Sequence, residues 1–290
     1  MPKDPHNATL VERIHAHDDL AVFRIKYNDH DVPDFEPGQF ATLGLPDTTP
    51  PDPNKPVRPE RPGRGPKLIR RAYSIASPAT QKDTLDFYIV RVDDGKLTPS
   101  LWDIEVGQTL FMNEKIGGHF CLPTAPGSED GRDADGRFPT ADKTLVMVGT
   151  GTGLAPFRSM YLTYRDAPPE AQRWQNFILL DGCRNAADLG YYDQLTAFAE
   201  QDDRFQYLPT VTREPVDSSW PGHRGRVNAL LEPQTFQTTT GLPLDPATCE
   251  VFLCGNPQMI DQVEADLTQR GFQTQDRKHP NGNLHFERYW

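Results

Sequence analysis

Three short segments of this chain combine residue types that can hold phosphates and flat rings. The first is Gly149-Thr150-Gly151-Thr152-Gly153-Leu154-Ala155-Pro156, just after the apolar run Thr144–Val148. Glycines let a backbone come close to a pyrophosphate. A helix starting there points amide groups and a positive dipole end at it. Pro156 suits the first turn of such a helix. The spacing is not Gly-x-Gly-x-x-Gly with a distant acid, and no Lys-Ser or Lys-Thr follows to make a Walker loop. The second segment, Cys254-Gly255-Asn256-Pro257-Gln258-Met259, follows the apolar run Val251–Leu253. Residues at the carboxyl end of a parallel strand face the ligand crevice, so Cys254 is placed to line a cofactor cleft. The third, Arg71-Ala72-Tyr73-Ser74, offers a cation, a flat aromatic and a hydroxyl. A flavin uses all three: charge for its phosphates, a ring to stack on and a hydrogen bond near N5. Alone, each segment also fits an ordinary turn, a buried small side chain or a barrel strand.

Other candidates are weaker. Arg184, Arg213 and Arg226 each follow a strand or a glycine turn, and guanidinium groups suit a phosphate through forked hydrogen bonds. Asp181 points the other way. An acid just after the second apolar strand, read as Asn176–Leu180, favours a ribose 2′-hydroxyl and hence NAD. Three arginines against one carboxylate favour NADP. His15 and His17 form a His-x-His pair, but no Cys or further His lies near them, so a solvated hairpin is the reading and no metal is expected. Cys121, Cys183, Cys249 and Cys254 include no Cys-x-x-Cys pair, which argues against zinc and iron–sulfur sites. An odd separation places Cys249 and Cys254 on opposite faces of a regular strand.

The elements that must position these groups change in kind along the chain. Thr9–His15 and Ala21–Tyr27 read as a hairpin around His17-Asp18-Asp19. Glu36-Pro37-Gly38-Gln39-Phe40 is a turn into another strand, and Leu85–Val92 and Gln108–Met112 are further strands. Residues 46–66 are crowded with proline and read as a loop. Short strands at close spacing suggest a small antiparallel barrel. Residues 124–142 carry almost no large apolar side chain and read as an exposed insertion at a domain boundary. Beyond it, strands alternate with helices. Thr144–Val148, Asn176–Leu180, Phe205–Val211 and Val251–Cys254 are strands, and 156–164, 191–200 and 257–270 are helical. That alternation implies a mostly parallel sheet. The expected architecture has two domains: an antiparallel β-barrel over 1–141, then an α/β parallel-sheet domain over 142–290.

Composition excludes several classes. At 290 residues the chain is long enough for sizeable cores. No apolar run approaches the ~20 residues of a membrane span, and the N-terminus lacks a signal-peptide pattern. A soluble, cytoplasmic protein is expected. The net charge of -11 argues against nonspecific nucleic-acid binding.

The order of these motifs, with Asp94-Gly95-Lys96-Leu97-Thr98-Pro99 between them and Tyr289-Trp290 at the end, resembles the ferredoxin–NADP reductase family, in its bacterial ferredoxin/flavodoxin branch. The resemblance covers about 9–290. It implies FAD held by Arg71, Ala72, Tyr73, Ser74, Ile89, Val90, Arg91, Lys96, Leu97 and Thr98. It implies NADP held by Gly151, Thr152, Gly153, Cys183, Arg184, Thr212, Arg213, Arg226, Asn256 and Pro257. Tyr73 and Tyr289 would stack on opposite faces of the isoalloxazine, and Trp290 on the adenine of a folded FAD. Ser74, Cys254 and Glu287 would surround the hydride path as the catalytic set. The implied activity is electron transfer between NADPH and a one-electron carrier, ferredoxin or flavodoxin. A stand-alone reductase of an oxygenase system and a non-catalytic flavin electron-transfer subunit are the rivals. A basic run, Lys55, Arg58, Arg61, Arg64, Lys67, Arg70 and Arg71 against Glu60, leads into the Arg71 motif. Beside the flavin it would orient an acidic carrier.

Overall fold

The computed structural model describes residues 6–48, 67–122, 140–165 and 173–289. Its first half is a six-stranded antiparallel sheet ordered β4-β3-β6-β1-β2-β5. The strands are β1 (Ala8–His17), β2 (Leu20–Tyr27), β3 (Phe40–Pro46), β4 (Leu68–Ser74), β5 (Leu85–Val90) and β6 (Thr109–Met112). The two ends of that order meet. Ile75 bridges to Phe87, and the Ala76 amide donates to the Asp86 carbonyl at 2.8 Å. Closure satisfies edge groups that an open sheet would expose. It also brings the end of β4 beside β5. Leu10, Phe23, Ile25, Leu43, Phe87 and Leu110 fill the interior with no exposed surface. A short helix, α1 (Thr98–Asp103), closes one end, with Trp102 tilted against Phe23 at 5.0 Å between rings.

The second sheet is parallel throughout and ordered β10-β9-β8-β7-β11-β12. Its strands are β7 (Thr144–Thr150), β8 (Asn176–Cys183), β9 (Phe205–Val211), β10 (His223–Arg224), β11 (Cys249–Gly255) and β12 (Leu284–Arg288). The helices are α2 (Leu154–Arg165), α3 (Tyr192–Gln201), α4 (Pro233–Thr240) and α5 (Pro257–Gln269). The two-residue side-chain period sorts the faces. Leu145, Met147, Leu179, Phe252 and Cys254 pack with α2 and α3. Val146, Val148, Ile178, Cys249, Val251 and Leu253 pack with α4 and α5. Cys249 and Cys254 therefore do lie on opposite faces. From β7 the strand order runs one way through β8 and the other through β11, so the ligand crevice lies outside the carboxyl ends of β7 and β11.

Barrel and sheet share a core. Leu20, Val22, Tyr88, Phe120 and Leu122 of the first half pack with Phe157, Met160 and Phe252 of the second. The N-terminal strands and the parallel sheet match the expected fold class. Four elements go beyond the sequence reading: α1, β10, α4 and β12. The proline-rich loop falls mostly outside the described residues, as does the 124–142 insertion and with them Lys55, Arg58, Glu60, Arg61 and Arg64.

Candidate active site

Three strand ends converge at the crevice. Ser74 closes β4 and is 7% exposed. Its hydroxyl donates to Glu287 Oε2 at 3.0 Å, a bond that joins residues 213 positions apart. Glu287 lies on β12 opposite Cys254 of β11 in the parallel register. Leu284 and Phe286 turn toward the α5 side, so the same period turns Glu287 toward the barrel. Tyr289 comes next, its amide donating to the Gly255 carbonyl at 3.3 Å and its phenol facing Ser74 and Cys254. Ser74, Cys254, Glu287 and Tyr289 thus form one group, the first two buried and the last two half-buried. Trp290 lies outside the described residues.

Burial sets the protonation here. It raises the Glu287 carboxyl, opposed by the Ser74 hydrogen bond. It raises the Cys254 thiol well above its usual value, helped by the nearby Glu287 charge. A thiol so raised is protonated at neutral pH and is no nucleophile. Cys121, which no motif marks, lies within electrostatic reach of Glu287. Burial, Glu36 and Glu287 push its thiol up to about 12. Nothing local in the sequence marks Cys121, because only the folded chain brings it toward Glu287.

The glycine loop and the Cys-Gly-Asn turn form one unit. A Cβ on Gly153 would stand 2.3 Å from the Cys254 carbonyl oxygen, so only glycine allows that approach. Thr150 Oγ1 accepts the Asn256 amide at 2.9 Å. Asn256 then caps α5 by accepting from the Gln258 and Met259 amides, with Pro257 in the first turn. Gly151 has φ 56, and a Cβ there would meet nothing within 4 Å. The loop therefore faces open space at the start of α2, as a bound pyrophosphate requires. Thr150 is a second residue missed at the sequence level, where it read as one more turn residue.

The arginines gather at the carboxyl ends of β8, β9 and β10. The Arg213 amide donates to the Arg184 carbonyl at 2.7 Å, and the Thr212 amide to the Cys183 carbonyl at 3.1 Å. Gly225, just before Arg226, donates to the Val211 carbonyl. Arg184, Arg213 and Arg226 are all exposed. Arg224 is instead tied to the Glu214 carbonyl and Ser218. This rim fits a phosphate group. Asp181 corrects the sequence reading. The strand runs on to Cys183, so Asp181 lies inside β8 with no exposed surface and cannot meet a ribose. Burial pushes its carboxyl up to about 7, and Tyr207 donates to it at 3.1 Å.

On the flavin side, Arg71 and Ala72 are exposed, and Tyr73 is half-buried against the barrel core. Burial raises the Tyr73 phenol to about 12. Arg91 and Lys96 are exposed, and Val90 packs at the interface. Ile89 and Leu97 turn into the barrel core, and the Thr98 hydroxyl bonds to the Val92 main chain. Those three can offer a ligand only main-chain atoms. A cation, a flat ring and a hydroxyl on one strand beside the closure seam fit a flavin, as the loop and the arginine rim fit a dinucleotide. Of the basic run, Lys67 pairs with Asp47 at 2.8 Å and Arg70 lies 4.0 Å over the Phe111 ring. His17 sits 3.3 Å from Asp188 across the domain boundary. Among the described residues no helix is long and apolar enough to cross a membrane.

Residues 147–265 match the oxidoreductase NAD-binding domain family. The chain is 30% identical over 257 residues to the flavodoxin/ferredoxin–NADP reductase of Escherichia coli K12, covering 88% of each. It is 33% identical over 227 residues to ferredoxin–NADP reductase A of Sorangium cellulosum, covering 75% of this chain and 73% of the relative. In fold it is similar to a ferredoxin NADP+ reductase from Neisseria gonorrhoeae with bound FAD and NADP, with a TM-score of 0.73, 24% identity and 98% coverage of each chain.

Proposed function

The chain belongs to the flavodoxin/ferredoxin–NADP reductase family, and from that premise we propose how its residues divide the work of an FAD-dependent enzyme that moves electrons between NADPH and a one-electron carrier. When bound, FAD exchanges a hydride with the nicotinamide and single electrons with the carrier. The division of labour falls at 141/142, with FAD on the barrel and NADP on the α/β domain. Arg71, Tyr73, Arg91 and Lys96 hold the flavin. The Gly151–Gly153 loop and Asn256 take the pyrophosphate, and Arg184, Arg213 and Arg226 take the 2′-phosphate.

The observation that carries this reading is the Ser74–Glu287 hydrogen bond. It sets the end of the flavin strand against the ends of β11 and β12, where the nucleotide crevice opens. Ser74 presents a hydroxyl at the flavin edge. Cys254 and Glu287 bound the space where a nicotinamide must lie, and Tyr289 covers it until the nucleotide arrives. Their burial excludes water from the hydride path. The carrier is a ferredoxin or a flavodoxin, docking transiently. A cytoplasmic location is supported by four cysteines that are all free thiols.

Rapid mixing with NADPH and with NADH tests the reading. The purified protein is expected to be yellow and to bleach with NADPH far faster than with NADH. Equal or reversed rates would overturn the assignment of the arginine rim.

A further inference from the structure

Arg158 is a charged side chain that is only 7% exposed, on the face of α2 turned toward the barrel. Burying a guanidinium is costly unless it is paired and fully hydrogen-bonded. Its partners lie in both domains. Nη1 donates to the Ala76 carbonyl at 2.8 Å, and Nε donates to Gln194 Oε1 of α3 at 2.9 Å. The guanidinium stands 4.2 Å over the Tyr191 ring and 3.9 Å from the Asp86 carboxylate of β5. Tyr191 has φ 60, an unusual backbone state for a bulky residue, and its phenol finds no hydrogen-bond partner among the described residues. Arg158 covers that ring. Two more bonds follow along α2. The Ser159 hydroxyl donates to the Ser77 carbonyl at 2.7 Å, and the Ala79 amide donates to Thr163 Oγ1 at 2.9 Å.

The places joined are what matter. Ala76 lies two residues beyond Ser74, on the flavin strand's own continuation. Arg158 lies five residues beyond Gly153, about 7.5 Å along the helix at 1.5 Å per residue. Gly153 in turn abuts the Cys254 carbonyl. A short stiff path therefore links the flavin edge to the nicotinamide wall, and Arg158 is a buried cation on it. Hydride transfer demands reacting atoms about 3–3.5 Å apart, and a displacement of about 1 Å costs roughly a hundredfold in rate.

We propose that Arg158 is a positioning residue for hydride transfer: it clamps α2 to the 76–79 segment and so sets how closely the nicotinamide loop stands to the flavin. The proposal rests on the assignment of the two cofactors to Ser74 and to the Gly151–Gly153 loop. It touches neither cofactor directly. Lysine in its place can reach the Ala76 carbonyl and Asp86, but it loses the second arm to Gln194 and the flat face on Tyr191.

The test compares Arg158→Met and Arg158→Lys holoenzyme with wild type. Four readouts are taken: FAD content, NADP+ dissociation constant, single-turnover flavin reduction with NADPH and its 4-deuterated form, and amide exchange. The Met variant is expected to keep its FAD and to hold NADP+ within about twofold, because neither contact is removed. Its flavin reduction should slow by about tenfold to a hundredfold, with an altered isotope effect. Exchange should quicken at 76–79 and at the start of α3 and stay unchanged in the barrel core. The Lys variant should fall between. Wild-type rates with unchanged exchange would overturn the clamp. So would loss of FAD with faster exchange throughout the barrel, which would make Arg158 structural only. If wild type itself is not bleached by NADPH, the cofactor assignment fails instead of the clamp.

Discussion

The buried centre and the arginine rim are built on opposite principles. Ser74, Cys254, Glu287 and Tyr289 come from strands that meet only in the folded chain, and each is pressed against the others. Arg184, Arg213 and Arg226 sit on neighbouring strand ends, exposed and open to a ligand. The centre must place atoms and keep water out, so packing is its chemistry. On the proposed assignment the rim delivers charge to a phosphate, so exposure is its chemistry. The contrast teaches that one site can draw specificity from exposed charge and reactivity from buried geometry, with little exchange between the two.

The largest effect should break the rim. Replacing Arg213 and Arg226 with Ala removes two charged hydrogen-bond donors, at about 1.5–3 kcal/mol each. NADPH binding should weaken accordingly, while NADH binding hardly changes and the bound FAD stays. Titration with both nucleotides measures it. Equal losses for both would mean that the rim does not read the 2′-phosphate. The difference should also shrink with salt, since the Debye length is ~8 Å at physiological ionic strength.

Asp181 sharpens the comparison from beneath the rim, because it is an acid that the fold buries where the rim exposes bases. Burial pushes its carboxyl up to about 7, well above the ordinary aspartate value of 3.8. The unfolded chain releases this proton near pH 4 and the folded chain near pH 7. The folded state therefore binds more protons across that window, and this residue's share of stability falls as pH rises, levelling off above about pH 8. At about 1.4 kcal/mol per pKa unit the loss reaches about 4 kcal/mol. Asp181→Asn keeps an acceptor for Tyr207 and has nothing to titrate. Denaturant melts at pH 4.5 and pH 8 should show the variant gaining on wild type at the higher pH. A difference independent of pH would mean that Asp181 is ionised in the folded protein throughout.

The smallest effect belongs to the centre. Cys254→Ala removes one buried sulfur, worth on the order of 1 kcal/mol of packing. Its thiol is protonated, so no covalent step is lost. Flavin reduction by NADPH should slow by about tenfold as the nicotinamide loses a wall, with FAD content unchanged. Loss of FAD from this variant would make Cys254 a structural residue of the flavin site.

Much of this was legible before folding because it is local. Glycines at Gly151 and Gly153 before a helix, Arg71 to Ser74 on a strand, and arginines after strand ends all declare themselves by type and spacing. The terminal Glu287 and Tyr289 were reached through resemblance, not through any local pattern. The unread elements fail for physical reasons. α4 buries only Phe236 and Thr240, so no apolar stripe marks it. α1 is only six residues long, with Pro99 in its first turn. β10 is two residues long, and β12 five. The apolar run that marks β8 ends at Leu180, yet Tyr207 across the sheet lets the strand carry Asp181 onward to Cys183.

The sequence by itself determined the order of the two halves, the period that sorts each strand's faces, and the placing of the glycine loop and the arginines at strand ends. Each of these depends on residues within a few positions of one another. Only the tertiary structure decided that Ser74 meets Glu287, that Asp181 is sealed inside the sheet, that Cys121 comes within reach of the Glu287 charge and that Arg158 ties α2 to the segment after β4. Those contacts join residues that are far apart in the chain or on different elements. They exist because barrel closure and a shared apolar core bring the ends of β4, β11 and β12 to one place, and no local pattern of residues encodes where two such surfaces will touch.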